Sequence, residues 1–210
     1  MNISYIGHSC FKLESDGCSI IIDPYKDDTV PGYENIVDET NMILSSHDHD
    51  DHKGASGVKV VDVPEGKTWP FEITVIDSFH DTEQGAIRGK NKIHIISDGK
   101  TKVAHLGDIC CELTPEQKQM LSKLDAAMIP VGGKYTLDGA EARALLVEID
   151  PRISIPMHYH SEKHGFGFPD LAVLRRFTSL CSSVVELKTS TIDAADEFAG
   201  AIVVLKPRNS

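Results

Sequence analysis

Six consecutive residues, His47-Asp48-His49-Asp50-Asp51-His52, place three imidazoles and three carboxylates directly after the short apolar run Met42 to Ser45. That run is a predicted β-strand, so the cluster lies where a strand meets a loop, the usual position of site residues on a rigid scaffold. Imidazole nitrogen together with carboxylate oxygen suits Zn, Mn, Fe or Co. The alternative is a solvated acidic turn with incidental histidines, but composition alone does not explain the pattern. The chain must therefore fold so that further ligands join this loop.

The spacing His-x-His-x-Asp-His indicates two metals rather than one. If the segment turns after the strand, His47 and His49 point to one centre, while Asp51 and His52 point to a neighbouring one. Four residues cannot complete two coordination spheres, so other strand ends should supply ligands. Three residues meet this condition, each at the end of a predicted strand: His80, Asp108 and His158.

The rest of the chain reads as many short strands with a few helices. The dipeptides Asp16-Gly17 and Asp98-Gly99 are hairpin signals between β-prone runs. Helices are predicted from Thr114 to about Leu124, from Asp138 to Ile149, and over Pro169 to Cys181, the first two because each opens with a capping-box pattern. Strands are predicted over residues 3–6, 9–14, 18–23, 42–45, 58–63, 71–79, 92–96, 101–106, 126–131, 153–157, 184–187 and 201–205. The sum is an α/β or α+β layered fold.

Length and composition set outer limits. The 210 residues predict a single domain spanning 1–210, long enough to fold without a structural metal. The net charge of −11 disfavours nucleic acid as a partner, because phosphates are bound mainly by Lys and Arg. Five cysteines without Cys-x-x-Cys spacing fit free thiols in a reducing compartment. With no predicted signal peptide or membrane span, we expect a cytoplasmic protein without membrane association.

The order of these motifs resembles the metallo-β-lactamase superfamily. The resemblance covers nearly the whole chain, from Gly7-His8-Ser9 and Ile22-Asp23-Pro24 through the histidine-rich loop to His158. Within the superfamily, several details are most similar to the L-ascorbate-6-phosphate lactonase-like branch: Phe79-His80-Asp81, His105-Leu106-Gly107-Asp108, Gly132-Gly133-Lys134-Tyr135-Thr136 and Pro156-Met157-His158-Tyr159. The resemblance implies a four-layer αββα sandwich with a dinuclear site along one edge of the sheets.

The resemblance also implies a division of the ligands. One metal would take His47, His49 and His80, the other Asp51, His52 and His158, with Asp108 bridging both. Zinc is the favoured metal, and manganese or iron are alternatives. Two divalent ions would activate a hydroxide and polarise a carbonyl or phosphoryl oxygen, with Asp51 orienting the nucleophile and accepting its proton. We therefore expect a metal-dependent hydrolase acting on a small anionic substrate, a lactone or a phosphate ester.

Residues around this set carry open alternatives. Tyr135, with Lys134, is predicted to bind or protonate the substrate, the alternative being a plain glycine turn after Gly132-Gly133. Asp23 either orients a ligand histidine or forms an Asp-Pro turn, and His8 either reaches the site or is structural. The other histidines divide as follows: His105 is near the metals or in the core, His160 and His164 line the mouth or are exposed loop residues, and His94 is structural.

Three other functions are weighed against hydrolysis of a small substrate. The first alternative is a phosphodiesterase acting on nucleic acid or phospholipid, against which stand the negative charge and the lack of an apolar insertion. A di-iron redox protein is disfavoured because His49 stands where flavodi-iron relatives have Glu. A non-catalytic binding protein is disfavoured because all seven candidate ligands are present. The oligomeric state stays open.

Overall fold

A computed structural model describes residues 1–210 and contains strands β1–β14 and helices α1–α3. The strands are β1 (Asn2–Gly7), β2 (Cys10–Ser15), β3 (Cys18–Ile22), β4 (Asp38–Thr40), β5 (Met42–Leu44), β6 (Val58–Val60), β7 (Glu72–Phe79), β8 (Lys90–Ser97), β9 (Lys102–His105), β10 (Ala126–Pro130), β11 (Ile153–Met157), β12 (Val184–Glu186), β13 (Thr191–Asp193) and β14 (Ala201–Val204). The helices are α1 (Pro115–Met120), α2 (Gly139–Ile149) and α3 (Arg175–Thr178). No helix combines the length and the hydropathy needed to cross a membrane.

Most strands belong to two large sheets. The first has the order β13-β1-β2-β3-β5, and the second has the order β12-β14-β11-β10-β9-β8-β7, while β4 and β6 form a separate pair. Strands β9, β10 and β11 run parallel to one another, as do β3 and β5. The carboxyl ends of parallel strands lie at one edge of a sheet, where ligands commonly bind.

The two sheets share an apolar core. Strands of both sheets contribute to it; Ile20 and Ile22 of β3, for example, lie in the same buried cluster as Met128 of β10 and Ile155 of β11. All five residues of β10 and of β11 are buried, which is typical of parallel strands covered on both faces. The predicted mixed α/β fold is confirmed.

Outer layers differ between the two sheets. Apolar side chains of α2, which include Ala142, Leu145, Leu146 and Ile149 as predicted, share a buried cluster with Ile129 of β10. Over the first sheet, the outer layer consists of loop residues rather than of helix, and Tyr33 and Ile36 pack there with Ile21 of β3. All three helices therefore lie after residue 114.

Local signals predicted the starts of α1 and α2 correctly, but α1 ends at Met120 rather than near Leu124, and most of a third predicted helix is absent. Capping boxes at Thr114–Gln117 and Asp138–Glu141 begin α1 and α2. Of the predicted helix over Pro169 to Cys181, only α3 is helical, so the prediction is wrong before Arg175 and after Thr178. There the backbone bonds elsewhere: the N–H of Ala172 donates to the carbonyl of Gly132, and its carbonyl accepts from the N–H of His160. Strands β4 and β13 were not predicted.

Candidate metal centre

A buried carboxylate anchors the histidine-rich loop to the end of β3. Asp23 is fully buried, and its Oδ1 accepts a hydrogen bond from the backbone N–H of Ser46 at 2.6 Å. Its Oδ2 accepts from the Ser46 hydroxyl at 2.6 Å and from Nδ1 of His52 at 2.8 Å. Asp23 therefore fixes both the start of the loop and the ring of His52, so its role extends beyond an Asp-Pro turn.

Two rings of the loop are oriented through one nitrogen and leave the other without a partner. The Ser46 hydroxyl accepts from Nδ1 of His47 at 2.9 Å, as Asp23 does from Nδ1 of His52. In both rings Nε2 is buried and has no hydrogen-bond partner. A buried polar atom without a partner is costly. Ligating histidines are typically oriented by such a bond on the second nitrogen, so these rings fit a metal.

Asp108 is held at the end of β9 by close packing. Its backbone N–H donates to Oδ1 of Asn91 at 2.9 Å, and the Asn91 side-chain amide also donates to Ser78 Oγ and to the Leu106 carbonyl. Gly107 has φ +57°, and a Cβ at this position would lie 2.3 Å from Asn91 Oδ1. Only glycine fits there, and the turn delivers the Asp108 carboxylate to the centre of the site.

The Asp108 carboxylate lies between histidines of both predicted half-sites. Its Oδ2 is 3.4 Å from Nε2 of His80 and 4.0 Å from Nε2 of His47. The same oxygen is 3.3 Å from Nε2 of His52 and 3.2 Å from Nε2 of His158. Its Oδ1 is buried without a partner. A carboxylate in this position can contact an ion on either side.

The structure brings all seven predicted ligands into one place. Their donor atoms fall into three groups in which every pair lies within 4.8 Å: His47, His49 and His80; His47, His52 and Asp108; and His8, Asp51, His52 and His158. Asp108 thus groups with one histidine from each predicted half-site. The third group adds His8, which is fully buried beside Asp51 and so reaches the site.

The carboxylates around His52 favour a positive charge at the centre of the site. Burial alone would lower the pKa of His52, but the carboxylates of Asp108, Asp23 and Asp51 raise it well above its usual value. Burial, with the neighbouring His52, lowers the pKa of His47 to about 3, so this ring is neutral at pH 7, the form that binds metals. Three carboxylates around one imidazole form a setting that a divalent cation would neutralise.

A cavity of about 230 Å³ opens onto these residues. Besides five of the seven candidate ligands, it is lined by Arg88, Tyr135, Phe168 and Asp170. The Arg88 guanidinium lies 4.2 Å from the centre of the Tyr135 ring and makes no ion pair. The Tyr135 hydroxyl donates to Asp170 at 2.9 Å, and Lys134 also pairs with Asp170. The lining of the cavity therefore combines metal-ligating groups with one cation that makes no ion pair.

The loop that carries Arg88 is fixed from the end of β7. Asp81 accepts four backbone N–H bonds between 2.7 and 3.1 Å, from Glu83, Gly85, Ile87 and Arg88. Burial would raise the pKa of Asp81, but these bonds lower it. Because Asp81 follows His80 directly, one turn positions both a candidate ligand and the cationic wall.

The remaining histidines lie away from the cavity. His105 donates through Nε2 to the Ser9 carbonyl at 2.8 Å and accepts through Nδ1 from the N–H of Gly107, so it is a bonded core residue. His94 is buried opposite it on β8, as expected of a structural residue. His160 and His164 line a separate, larger groove of about 730 Å³ that contains no metal-ligating group of three, and not the site cavity.

Sequence reasoning missed four residues of the site: Arg88, Asn91, Phe168 and Asp170. Arg88 lies in a loop, Asn91 in a strand and Asp170 in a turn, and none belongs to a local motif. The only sequence signal was indirect, because Asp81, with its multiple acceptor capacity, follows His80 and indicates an ordered loop.

Comparison with known proteins agrees with this geometry. A model of the β-lactamase superfamily domain matches residues 2–158. The UPF0173 protein of Pyrococcus furiosus is 31% identical over 181 residues, covering 76% of this chain and 83% of the relative. A UPF0173 metal-dependent hydrolase of Methanopyrus kandleri is 28% identical, covering 76% and 84%.

A solved structure extends the likeness to the whole chain. A protein of the metallo-β-lactamase superfamily from Thermotoga maritima superimposes with a TM-score of 0.72 and 26% identity, covering 97% of each chain. The chain therefore belongs to the metallo-β-lactamase superfamily and, within it, to the UPF0173 family of metal-dependent hydrolases.

Proposed function

We propose that the protein is a dinuclear metal-dependent hydrolase of a small anionic substrate, a lactone or a phosphate ester. The observation that carries this proposal is the clustering of seven candidate ligands beside one cavity, which five of them line, with buried Nε2 atoms of His47 and His52 and Oδ1 of Asp108 left without partners. Ligand groups of this type suit zinc, and manganese or iron are alternatives.

The proposed ligand sets follow the grouping of donor atoms. His47, His49 and His80 would hold one ion, Asp51, His52 and His158 the other, and Asp108 would contact both. Divalent ions in these positions would supply Lewis acidity and a nucleophile from water at neutral pH. Asp51 lies at the cavity wall, where its carboxylate can orient the attacking water and accept its proton. Tyr135 also lines the cavity, where its side chain can contact the substrate.

The branch within the superfamily is also a proposal. The motifs around His80, Asp108, Tyr135 and His158 favour a lactonase-like activity. The small cavity and the net charge of −11 favour a small substrate over nucleic acid. The relative from Methanopyrus kandleri is named a metal-dependent hydrolase and the Thermotoga protein is described as a candidate zinc-dependent one, which supports the reaction class.

Metal removal tests the function directly. We expect protein purified without an affinity tag to contain near two equivalents of metal by elemental mass spectrometry. Dialysis against a chelator should abolish hydrolysis, and zinc or manganese should restore it. The substrate screen should include lactones, bis-p-nitrophenyl phosphate and thioesters. Lactone turnover supports the lactonase-like branch, and phosphodiester turnover alone favours the phosphodiesterase. Less than about 0.2 equivalents without recovery on adding metal would refute the proposal.

Arg88 gives a test of the substrate charge. Arg88→Met keeps a long side chain against Tyr135 but removes the guanidinium. Since a hydrogen bond to a charged group contributes about 1.5–3 kcal/mol, KM for an anionic lactone or phosphate ester should rise by roughly 10- to 100-fold. KM for a neutral ester should not change. Arg143→Met, at an exposed position of α2, is the matched control. Equal KM changes for charged and neutral substrates would contradict an anionic substrate.

A further inference from the structure

The backbone at His8 is held in an uncommon conformation at the junction of β1 and β2. Its φ is 55°, in the left-handed region that non-glycine residues seldom occupy. Two groups from elsewhere fix the His8 carbonyl: the Tyr5 hydroxyl donates to it at 3.0 Å, and the backbone N–H of His158 donates at 3.0 Å. Uncommon backbone geometry that is held in this way is often found at functional sites.

The His8 side chain is directed at Asp51. The ring is fully buried, lies 4.3 Å from the His158 ring at an interplanar angle of 43°, and meets the Phe168 ring edge-on at 5.4 Å. Its Nε2 lies 3.2 Å from Oδ2 of Asp51 in hydrogen-bond geometry. The same Asp51 oxygen lies 3.5 Å from Nε2 of His52 and 3.9 Å from Nε2 of His158, so it faces both.

Geometry separates His8 from the ring nitrogens that would bind a metal. His158 Nε2 lies between two carboxylates, 3.2 Å from Oδ2 of Asp108 and 3.9 Å from Oδ2 of Asp51. His8 Nε2 lies within 4.0 Å of one carboxylate only, and it is placed to donate a hydrogen bond to Oδ2 of Asp51 at 3.2 Å. A ligand nitrogen directs its lone pair at the ion, and a positioning nitrogen directs a proton at a ligand.

We propose that His8 is a positioning residue for one half of the metal centre, donating its Nε2–H to Oδ2 of Asp51 and so presenting this carboxylate towards His52 and His158. This inference rests on the proposed function, because it requires a metal at that half-site. His8 belongs only to the donor group of Asp51, His52 and His158, and not to the group of His47, His49 and His80. The two metals should therefore depend on His8 unequally.

A pair of substitutions separates the hydrogen bond from the backbone. Asn tolerates a left-handed backbone best among polar residues but is too short to reach Asp51, so His8→Asn removes the bond and the ring contacts while the backbone keeps its conformation. His8→Gln places an amide donor near the position of Nε2. We expect His8→Asn to lower the affinity for one of two metal equivalents by roughly 10- to 100-fold, the cost typical of losing an outer-shell partner. The other equivalent should bind as in the wild type, and His8→Gln should recover part of the loss.

Zinc titration by calorimetry, starting from the metal-free protein, reads this result without an activity assay. Circular dichroism should show that both variants fold. The inference is overturned if the wild type binds two equivalents of zinc and His8→Asn binds both of them as tightly, or binds both more weakly by the same factor. Either result leaves the hydrolase proposal intact. Failure of the wild type to bind two equivalents overturns the dinuclear proposal itself.

NMR distinguishes positioning from direct ligation. In zinc-loaded protein with ¹⁵N-labelled histidine, Nε2 of His8 should carry a proton, and the signal should be missing in His8→Gln. A zinc-loaded His8 whose Nε2 carries no proton would be a ligand, and this outcome would overturn the positioning role.

Discussion

Asp108→Ala should lose at least one metal equivalent and lower the rate of hydrolysis by more than about 100-fold, beyond the 10- to 100-fold cost of losing an outer-shell partner. The reason is position: one oxygen of this buried carboxylate lies within 4.0 Å of Nε2 of His47, His52, His80 and His158. No other carboxylate contacts both histidine groups, so no neighbour can replace it. Elemental analysis and steady-state rates on the metal-loaded protein check this result.

The matched control for this prediction is Asp48→Ala. Asp48 belongs to the same loop, but its side chain is exposed and pairs only with Lys53. This variant should keep its metal content and its rate. Two equivalents of metal and full activity in Asp108→Ala would remove the dinuclear assignment.

Asp23→Ala should destabilise the fold by about 3–5 kcal/mol, the range for breaking a buried charged pair. The substitution leaves three buried donors without an acceptor: the N–H and hydroxyl of Ser46 and Nδ1–H of His52. It also frees the His52 ring, so metal affinity should fall by roughly 10- to 100-fold. Urea unfolding of the metal-free protein measures the first effect, and a zinc titration measures the second.

The lowered pKa of Asp23 predicts how its contribution to the free energy of unfolding changes with pH. Burial would raise the pKa of Asp23, but the His52 and His105 rings and the bonds from His52 and Ser46 lower it from 3.8 to about 2. Because the pKa of Asp23 is lower in the folded than in the unfolded protein, its charged carboxylate stabilises the fold at pH values above about 4. This stabilisation is lost as the pH falls from about 4 to about 2. The difference between the folded and unfolded pKa of Asp23 corresponds to roughly 2 kcal/mol of stability, at about 1.36 kcal/mol per pKa unit.

A comparison of variants isolates the Asp23 contribution. The gap in unfolding free energy between the wild type and Asp23→Asn should be constant from pH 7 to about 4 and should narrow below that. Asp62→Ala, at an exposed position whose side chain makes no hydrogen bond, should match the wild type throughout. A gap that does not depend on pH would mean that Asp23 is not the charged group stabilising this loop.

Local sequence signals predicted the structure correctly where the stabilising interactions are between residues close together in the chain. The hairpin at Asp16-Gly17 forms because both residues take positive φ, 48° and 84°, which Asp and Gly tolerate. The helix starts at Thr114 and Asp138 follow from side chains that cap the backbone three residues away. The same reasoning failed over Pro169 to Cys181, because the backbone N–H and C=O groups around Ala172 bond to Gly132 and His160, which lie far away in sequence.

The candidate ligands could be found from the sequence because each ends a strand. Chemically distinctive residues directly after apolar runs identified His80, Asp108 and His158, and parallel pairing of β9, β10 and β11 explains why strand ends meet. By contrast, Arg88 and Asn91 have no sequence pattern. Their place depends on the turn fixed by Asp81 and on the packing of Gly107 against Asn91.

The sequence by itself determined the mixed α/β class, the strand ends and the set of metal-ligating residue types, since these depend on local hydrophobic pattern and side-chain chemistry. Only the tertiary structure decided that Nε2 of His47 and of His52 is free, that His8 reaches Asp51, and that an unpaired Arg88 lines the cavity. Those features depend on contacts between residues distant in the sequence, such as Asp23 with His52 and His8 with His158, and on the turn in which Asp81 accepts the N–H of Arg88. Long-range packing leaves no periodic signal in the chain.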